Sequence, residues 1–340
     1  MQVTVVIPTL NARELLADAL ASLERQTLGA QVVVVDNAST DGTAELLRER
    51  FPRVRVLRND TNLGFGRAIN RAALELEGDV LVLVNNDVVC EPRFLELLCE
   101  PLADPRVGAV AGVLVQGSGR IDSAGVELDT TLQSYDYLWN CPLAELERSR
   151  DPVGPCGGAA AYRLSAFRAL GGFDERLFAY WEDVDLALRL HEAGWRCVLA
   201  PEARAEHRHG ATLGAASPAQ RRLEAFGRGY VLGKFGVTRG RPLAALAVAT
   251  LDWPVLAVHL LVRRELGPLR AHHHGRKLGA AAKRPGPPPL ELATVSLREA
   301  LARQAGFLRL RLTGTLPAHF HEHAPARSTA PPRTPSRGRG

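Results

Sequence analysis

A disulfide scaffold is excluded first. The 340 residues hold five cysteines, Cys90, Cys99, Cys141, Cys156 and Cys197, an odd set with no CxxC pair and no repeated spacing. Such a set suits a reducing compartment better than a cross-linked secreted domain. The chain opens with no basic, apolar, small-residue leader; VTVVIP after Gln2 is too short for a signal peptide and reads as a buried strand. A cytoplasmic address is therefore expected. There are no internal repeats. No GxGxxG follows the first strand, which counts against a dinucleotide-binding fold.

Acidic residues are scarce towards the end of the chain. From Glu265 to Gly340 thirteen Lys/Arg stand against four Asp/Glu, a net of +9, so the residues before them carry −4 of the whole-chain +5. A basic tail on a mildly acidic body suits an anionic surface. The tail has no interleaved aromatics and no nucleic-acid module, so no nucleic acid is expected and a membrane leaflet is favoured. A further apolar segment, 243–262, contains Asp252, Pro254 and His259. A central Asp costs about 3 kcal/mol in a spanning helix, and proline interrupts it. Flanked by Arg239, Arg241, Arg263 and Arg264, the segment reads equally as an interfacial helix or as a helix packed on the body.

What is present is an ordinary core: 46% of the residues are hydrophobic, enough for one α/β domain of roughly 200–250 residues and an accessory region. VTVVIPTLN, QVVVVD, VRVLRN and DVLVLVNND read as strands, with helical periodicity over Ala12–Gln26, Thr43–Arg50 and Gly66–Leu76 between them. Apolar runs without alternation, separated by helices, predict a parallel sheet covered on both faces. Ligands then gather at the carboxyl ends of the strands, where the polar loops converge. Farther on, Val184–Ala193 is an amphipathic helix stopped by Gly194, and RCVLAP a short strand.

Five constellations could do chemistry. In VVVVDNASTDGT a strand delivers Asp36 to the sheet edge, with Asn37 and Ser39 after it to bond a base or ribose; a turn and a helix cap explain the acids as well. In NLGFGRAIN, Asn62 to Asn70, Gly64 and Gly66 let backbone approach a ligand beside Phe65, or merely ease a strand-to-helix turn. In LVNNDV, Asp87 ends an apolar strand where an uncompensated charge is costly, and a divalent cation is its natural partner; a cap for the next element is the alternative. Trp181-Glu182-Asp183-Val184-Asp185 sets three acids ahead of a helix whose N-terminus favours their ionised form, and an ionised carboxylate there can take a proton from a hydroxyl. In AEHRHG, His207 and His209 project to one side of an extended segment, towards a metal or simply onto the surface.

Together and in this order, VIPTLN, VVVDNASTDGT, NLGFGRAIN, LVNNDV, IDSAG, GGFDERLFAYWEDVDLALRLHEAGW and HRHGAT resemble the family 2 glycosyltransferases, inverting enzymes of the GT-A fold. The look is that of their rhamnosyltransferase- and galactofuranosyltransferase-like branch, and the match runs from Val3 to about Gly210. The resemblance implies a Rossmann-like, mostly parallel nucleotide-binding sheet flanked by helices, followed by a C-terminal helical extension and a disordered basic tail. It implies that Pro8, Thr9 and Asn11 line a base pocket, that Asp36 and Asn37 bind base and ribose, and that Asn62, Gly64, Phe65, Gly66 and Asn70 serve the same nucleotide. Asn85-Asn86-Asp87 stands as the DxD-like element, with Asp87 and His207 as ligands of Mg²⁺ or Mn²⁺. Asp183 would be the catalytic base, and Gly157, Gly158, Trp181 and Glu182 would flank the acceptor. Asn85 replaces the usual first acid, so metal affinity rests on Asp87 and His207.

The implied divisions are a catalytic domain over 1–224, a helical and membrane-interfacial extension over 225–282, and a basic, Pro-rich region over 283–340. The implied reaction is a single in-line displacement at the anomeric carbon of a nucleotide-diphosphate sugar, dTDP- or UDP-linked. The acceptor is a hydroxyl of a glycan or polyprenyl-linked glycan at the inner face of the cell membrane, in envelope polysaccharide synthesis. One rival, a sugar-1-phosphate nucleotidylyltransferase, would carry a glycine-rich basic loop where this chain has TLNAREL. Another, a non-catalytic scaffold, has no need of Asp87, Asp183 and His207.

Overall fold

The computed structural model describes residues 1–208 and 217–313. His209 and the Pro- and Arg-rich end of the tail lie outside the described residues. Strands and helices first alternate: β1 (Val3–Thr9), α1 (Arg13–Leu23), β2 (Gln31–Asp36), α2 (Thr43–Arg50), β3 (Arg55–Arg58), α3 (Phe65–Glu75) and β4 (Val80–Val84). These four strands pair in parallel in the order β3-β2-β1-β4. Their valine-rich runs are buried on both faces, because each face carries its own core. Leu16, Leu20, Leu46 and Leu47 from α1 and α2 pack on one face, and Ile69, Ala72 and Ala73 from α3 on the other.

The second half makes the sheet mixed. It comprises β5 (Val88–Cys90), α4 (Phe94–Cys99), β6 (Val107–Val115), β7 (Ile121–Ser123), β8 (Val126–Leu128), β9 (Ser134–Asp136), β10 (Ala159–Arg163), α5 (Leu164–Ala169), α6 (Glu182–Glu192) and β11 (Arg196–His207). The excursion after β6 stays at the carboxyl end of the sheet. The next strand to enter, β10, therefore runs back, antiparallel to both β4 and β6. The expected short strand RCVLAP is only the first half of β11, which pairs with β6 and resets its register between Leu199 and Arg204. Pro201 lies in that gap; it has no N–H for the ladder, and an irregularity absorbs it. The continuation carries His207 beside Val88 of β5.

Four helices follow: α7 (Pro218–Lys234), α8 (Pro242–Ala257), α9 (Gly267–Ala281) and α10 (Leu297–Thr313). α7 and α9 cross with backbones in contact. A Cβ on Gly229 would sit 2.1 Å from the His272 carbonyl oxygen, and one on Gly279 would sit 2.0 Å from that of Tyr230. α8 packs against α7 and α9. Its Asp252 accepts from the Arg228 guanidinium of α7 at 3.1 Å and faces His272 Nε2 of α9 at 3.2 Å. Asp252 thus docks the helix on the body by one side, although Pro242–Val262 is by length and composition apolar enough to cross a membrane.

Beneath α7, Lys234 lies 2.7 Å from Asp174 Oδ2 and 2.5 Å from Asp185 Oδ1, and the Tyr230 hydroxyl donates to Asp174 at 2.6 Å. Burial alone would raise the Asp174 carboxyl, but Lys234 and Tyr230 pull it down from 3.8 to about 2. The folded value lies below the ordinary one. The stability this group contributes is therefore complete above pH 3.8 and is lost as pH falls towards about 2. Urea unfolding across that window should show a steeper loss for the parent than for Asp174→Asn; parallel curves would remove Asp174 from the acid response.

Candidate active site

The loops at the carboxyl ends of the strands open onto one cleft of about 1220 Å³. Pro8 and Thr9 end β1, Asn37 follows β2, and Asn85, Asn86 and Asp87 follow β4; all of them line it. The Asn86 amide donates to the Thr9 hydroxyl at 3.0 Å, joining two of these strand ends. Asn62, Gly64 and Phe65 continue the same wall, and Gly157, Gly158, Trp181, Glu182, Asp183 and His207 form the opposite one.

Five expected nucleotide ligands do not line the cleft: Asn11, Asp36, Ser39, Gly66 and Asn70. Each is engaged elsewhere. Asp36 is fully buried, accepting from Arg58 at 2.7 Å and from the Ser39 N–H at 2.8 Å. Asn11, in the left-handed region with φ 50°, accepts from the Thr40 N–H, and its own N–H donates to the Ser39 hydroxyl. The loops after β1 and β2 are thereby tied together behind the cleft. The Asn70 amide clasps the Phe173 backbone from both sides at 2.8 Å. Gly66 faces Phe173, whose Cβ would lie 3.1 Å from an added Cβ. Gly64 (φ +82°) does permit a close approach, but to the Phe178 carbonyl, 2.2 Å from where a Cβ would stand. That carbonyl accepts from the Phe65 N–H at 2.8 Å and so caps the start of α3.

At the floor of the cleft Asp87 Oδ1 is buried without a hydrogen-bond partner, with His207 Nε2 at 3.4 Å. His207 Nδ1 is 2.7 Å from Asp122 Oδ2. Burial alone would depress the imidazole, but Asp122 and Asp87 raise it to about 9. The position attracts a cation. An orphaned carboxylate oxygen and an imidazole nitrogen fit a divalent ion whose remaining ligands come from phosphates and water. Asp122 supplies the outer hydrogen bond that orients a ligating imidazole. Among the described residues no three His, Cys, Asp or Glu side chains form a closed metal cage.

Asp183 is the second residue of α6, which begins directly after two consecutive non-glycine residues in the left-handed region, Tyr180 (φ 67°) and Trp181 (φ 75°). Such geometry costs on the order of 1–3 kcal/mol per residue and persists only where packing enforces it. Here Trp181 is wedged against α7, its Cδ1 only 2.4 Å from where a Cβ on Gly227 would lie. Asp183 accepts from the Val184 N–H at 2.8 Å and the Gly157 N–H at 3.3 Å. Burial raises its carboxyl above 3.8, although these bonds oppose the shift. Glu182 is pushed far higher, by burial and then by Asp183, and its Oε2 has no hydrogen-bond partner. Both carboxyls are therefore raised, Glu182 farther than Asp183.

Sequence reasoning assigned no role to Asp122 or Asp136. Asp122 lies in IDSAG, where an acid in a short strand of small residues was the available signal. Asp136, the last residue of β9, opens onto the cleft with its side chain exposed.

The sheet order and the strand-end cleft are those of a GT-A transferase domain, and known proteins agree. Residues 4–171 match Glycosyl transferase family 2. The chain is 34% identical over 214 residues to N-acetylglucosaminyl-diphospho-decaprenol L-rhamnosyltransferase of Mycobacterium tuberculosis, covering 55% of this chain and 70% of that one. It is 26% identical over 217 residues to the O-antigen chain rhamnosyltransferase RfbN of Salmonella typhimurium, covering 62% and 68%. Mannosyltransferase PcManGT from Pyrobaculum calidifontis, solved with GDP-Man and Mn²⁺, shares the fold at a TM-score of 0.53 and 23% identity, over 91% of this chain and 80% of that one. The chain belongs to the family 2 glycosyltransferases and is a rhamnosyltransferase-like transferase of the GT-A fold.

Proposed function

We propose that the protein transfers a sugar, rhamnose for example, from a dTDP- or UDP-sugar to a hydroxyl of a glycan or polyprenyl-linked acceptor, inverting the anomeric centre. The setting is envelope polysaccharide synthesis at the cytoplasmic face of the membrane. The supporting relatives are the two rhamnosyltransferases, one named for a diphospho-decaprenol substrate. The observation that carries the reading is the pairing, in one cleft, of an Asp87–His207 cation position with a raised, positioned Asp183.

In this reading Thr9, Asn37 and Asn86 border the nucleotide, and Asp36, Ser39 and Asn11 hold those borders in place from behind. Asp87 and His207 would hold Mg²⁺ or Mn²⁺, which neutralises charge on a leaving diphosphate. Asp183 takes the acceptor proton as the oxygen attacks from the opposite face. Glu182, next to Asp183 at the start of α6, borders the acceptor. Gly157 and Gly158 flank the sugar and acceptor, and their missing side chains let Phe65 and Asn85 pack close, since a Cβ on either would lie within 3.2 Å of those side chains.

Transfer from a panel of labelled nucleotide sugars tests the activity. Asp87→Ala should weaken nucleoside diphosphate binding about 10–100-fold, with no recovery on adding Mn²⁺. Calorimetric titration with and without metal measures this, and an unchanged metal dependence would move the ligand role off Asp87.

A further inference from the structure

α8 has two faces with different surroundings. One carries Leu251, Asp252, Val255, Leu256 and His259, which line the cleft that holds Asp183. The other presents a stripe of large apolar residues three and then seven apart, Leu243 (81% exposed), Leu246 and Trp253, and then Leu260, Leu261 and Val262 in the turn that ends the helix, with Thr250 and Ala257 between them. Thr250, the polar residue within the stripe, donates its hydroxyl to the Leu246 carbonyl at 2.8 Å and presents no free donor. Scattered exposed leucines are ordinary, but an apolar stripe along one helix face marks a contact surface. Both ends of the stripe are basic: Arg239 and Arg241 at one, Arg263 and Arg264 at the other, all exposed.

We infer that this face of α8 is a docking surface for an anionic lipid bilayer, with the helix lying in the headgroup plane. Charge chooses the occupant. A second copy related by a two-fold axis would bring arginine-bearing ends against arginine-bearing ends in either direction, whereas a sheet of lipid phosphates takes both ends at once. Residues 314–340 do not suit the face either: their large apolar residues are Leu316 and Phe320 alone, and they add Arg327, Arg333, Arg337 and Arg339. The clasp of Asp252 by Arg228 and His272 holds the helix to the body, so it lies on the bilayer and does not cross it. Because the opposite face lines the cleft, a bilayer on α8 meets one wall of the acceptor path. This consequence rests on the proposed lipid-linked acceptor; the docking itself does not.

The test is flotation of the full chain with vesicles containing phosphatidylglycerol and with phosphatidylcholine vesicles, at low and high salt. The parent should float with the anionic vesicles and be released by salt. Leu246→Glu/Trp253→Glu/Leu261→Glu should lose binding, with nucleoside diphosphate affinity and thermal unfolding as in the parent. Replacing the four flanking arginines by glutamine should weaken binding at least about a hundredfold, at about fivefold for each charge. A parent that ignores both vesicle types, a triple variant that binds like the parent, or a parent dimer that the triple variant abolishes would each overturn the inference. Vesicle binding needs no catalysis. If Asp183→Asn kept full transfer while flotation behaved as expected, the active-site reading would fall and the docking surface would stand.

Discussion

Asp183→Asn should lower turnover by about 10²–10⁴-fold, the range for a lost general base, and leave nucleoside diphosphate affinity near that of the parent. The replacement keeps the size of the side chain and can still accept from the Val184 N–H, so the start of α6 holds. It cannot take a proton. Burial and then the Asp183 charge raise the neighbouring Glu182 carboxyl well above its ordinary value. In the parent the base must be ionised, and burial has raised its value, so the acid limb of the rate profile should lie above 3.8 and activity should climb as pH rises through it. Initial rates with saturating donor, beside calorimetry of donor binding, measure both quantities. Near-normal transfer by Asp183→Asn would rule Asp183 out as the base.

Asp185→Ala, two residues away, should do the reverse: unfolding becomes easier by about 3–5 kcal/mol, the usual cost of stripping one partner from a buried ion pair. Asp185 has no exposed surface; Arg189 donates to it at 2.8 Å and Lys234 lies at 2.5 Å. Arg189 also bonds the Leu170 and Gly172 carbonyls, and Lys234 holds Asp174. Removing Asp185 leaves buried Arg189 with those backbone carbonyls and Lys234 with Asp174, at the joint between α6, α7 and the loop before Asp174. Denaturant unfolding is the measurement, and transfer per folded molecule should change far less than stability. A loss under about 1 kcal/mol would mean the network relaxes around the gap.

A helix over Val184–Ala193 was legible from apolar spacing, which set Asp183 near its N-terminus; the folded helix runs from Glu182 to Glu192. Which acid of the cluster faces the cleft was not legible, because that depends on how α6 is rotated against α7. The difference between Asp183 and Asp185 is decided by Lys234 and Gly227, more than forty residues away. Gly64 illustrates the same limit. A glycine ahead of a helix predicts a close approach, but only the folded loop shows that the approaching group is the Phe178 carbonyl.

By itself the sequence determined what is local or periodic: the parallel β1–β4 half from unbroken apolar runs, the strand-end polar loops, Asp87 at a strand terminus, and the motif order that resembles the family. The tertiary structure alone decided the antiparallel entry of β10, the Asp122–His207 contact across 85 positions, the hydrogen bonds that engage Asp36, Asn11 and Asn70, and the docking of α8 by Asp252. The reason is physical. Strand and helix periods depend on neighbours a few residues apart, whereas a polar side chain's duty is set by whichever distant group satisfies it once both are buried.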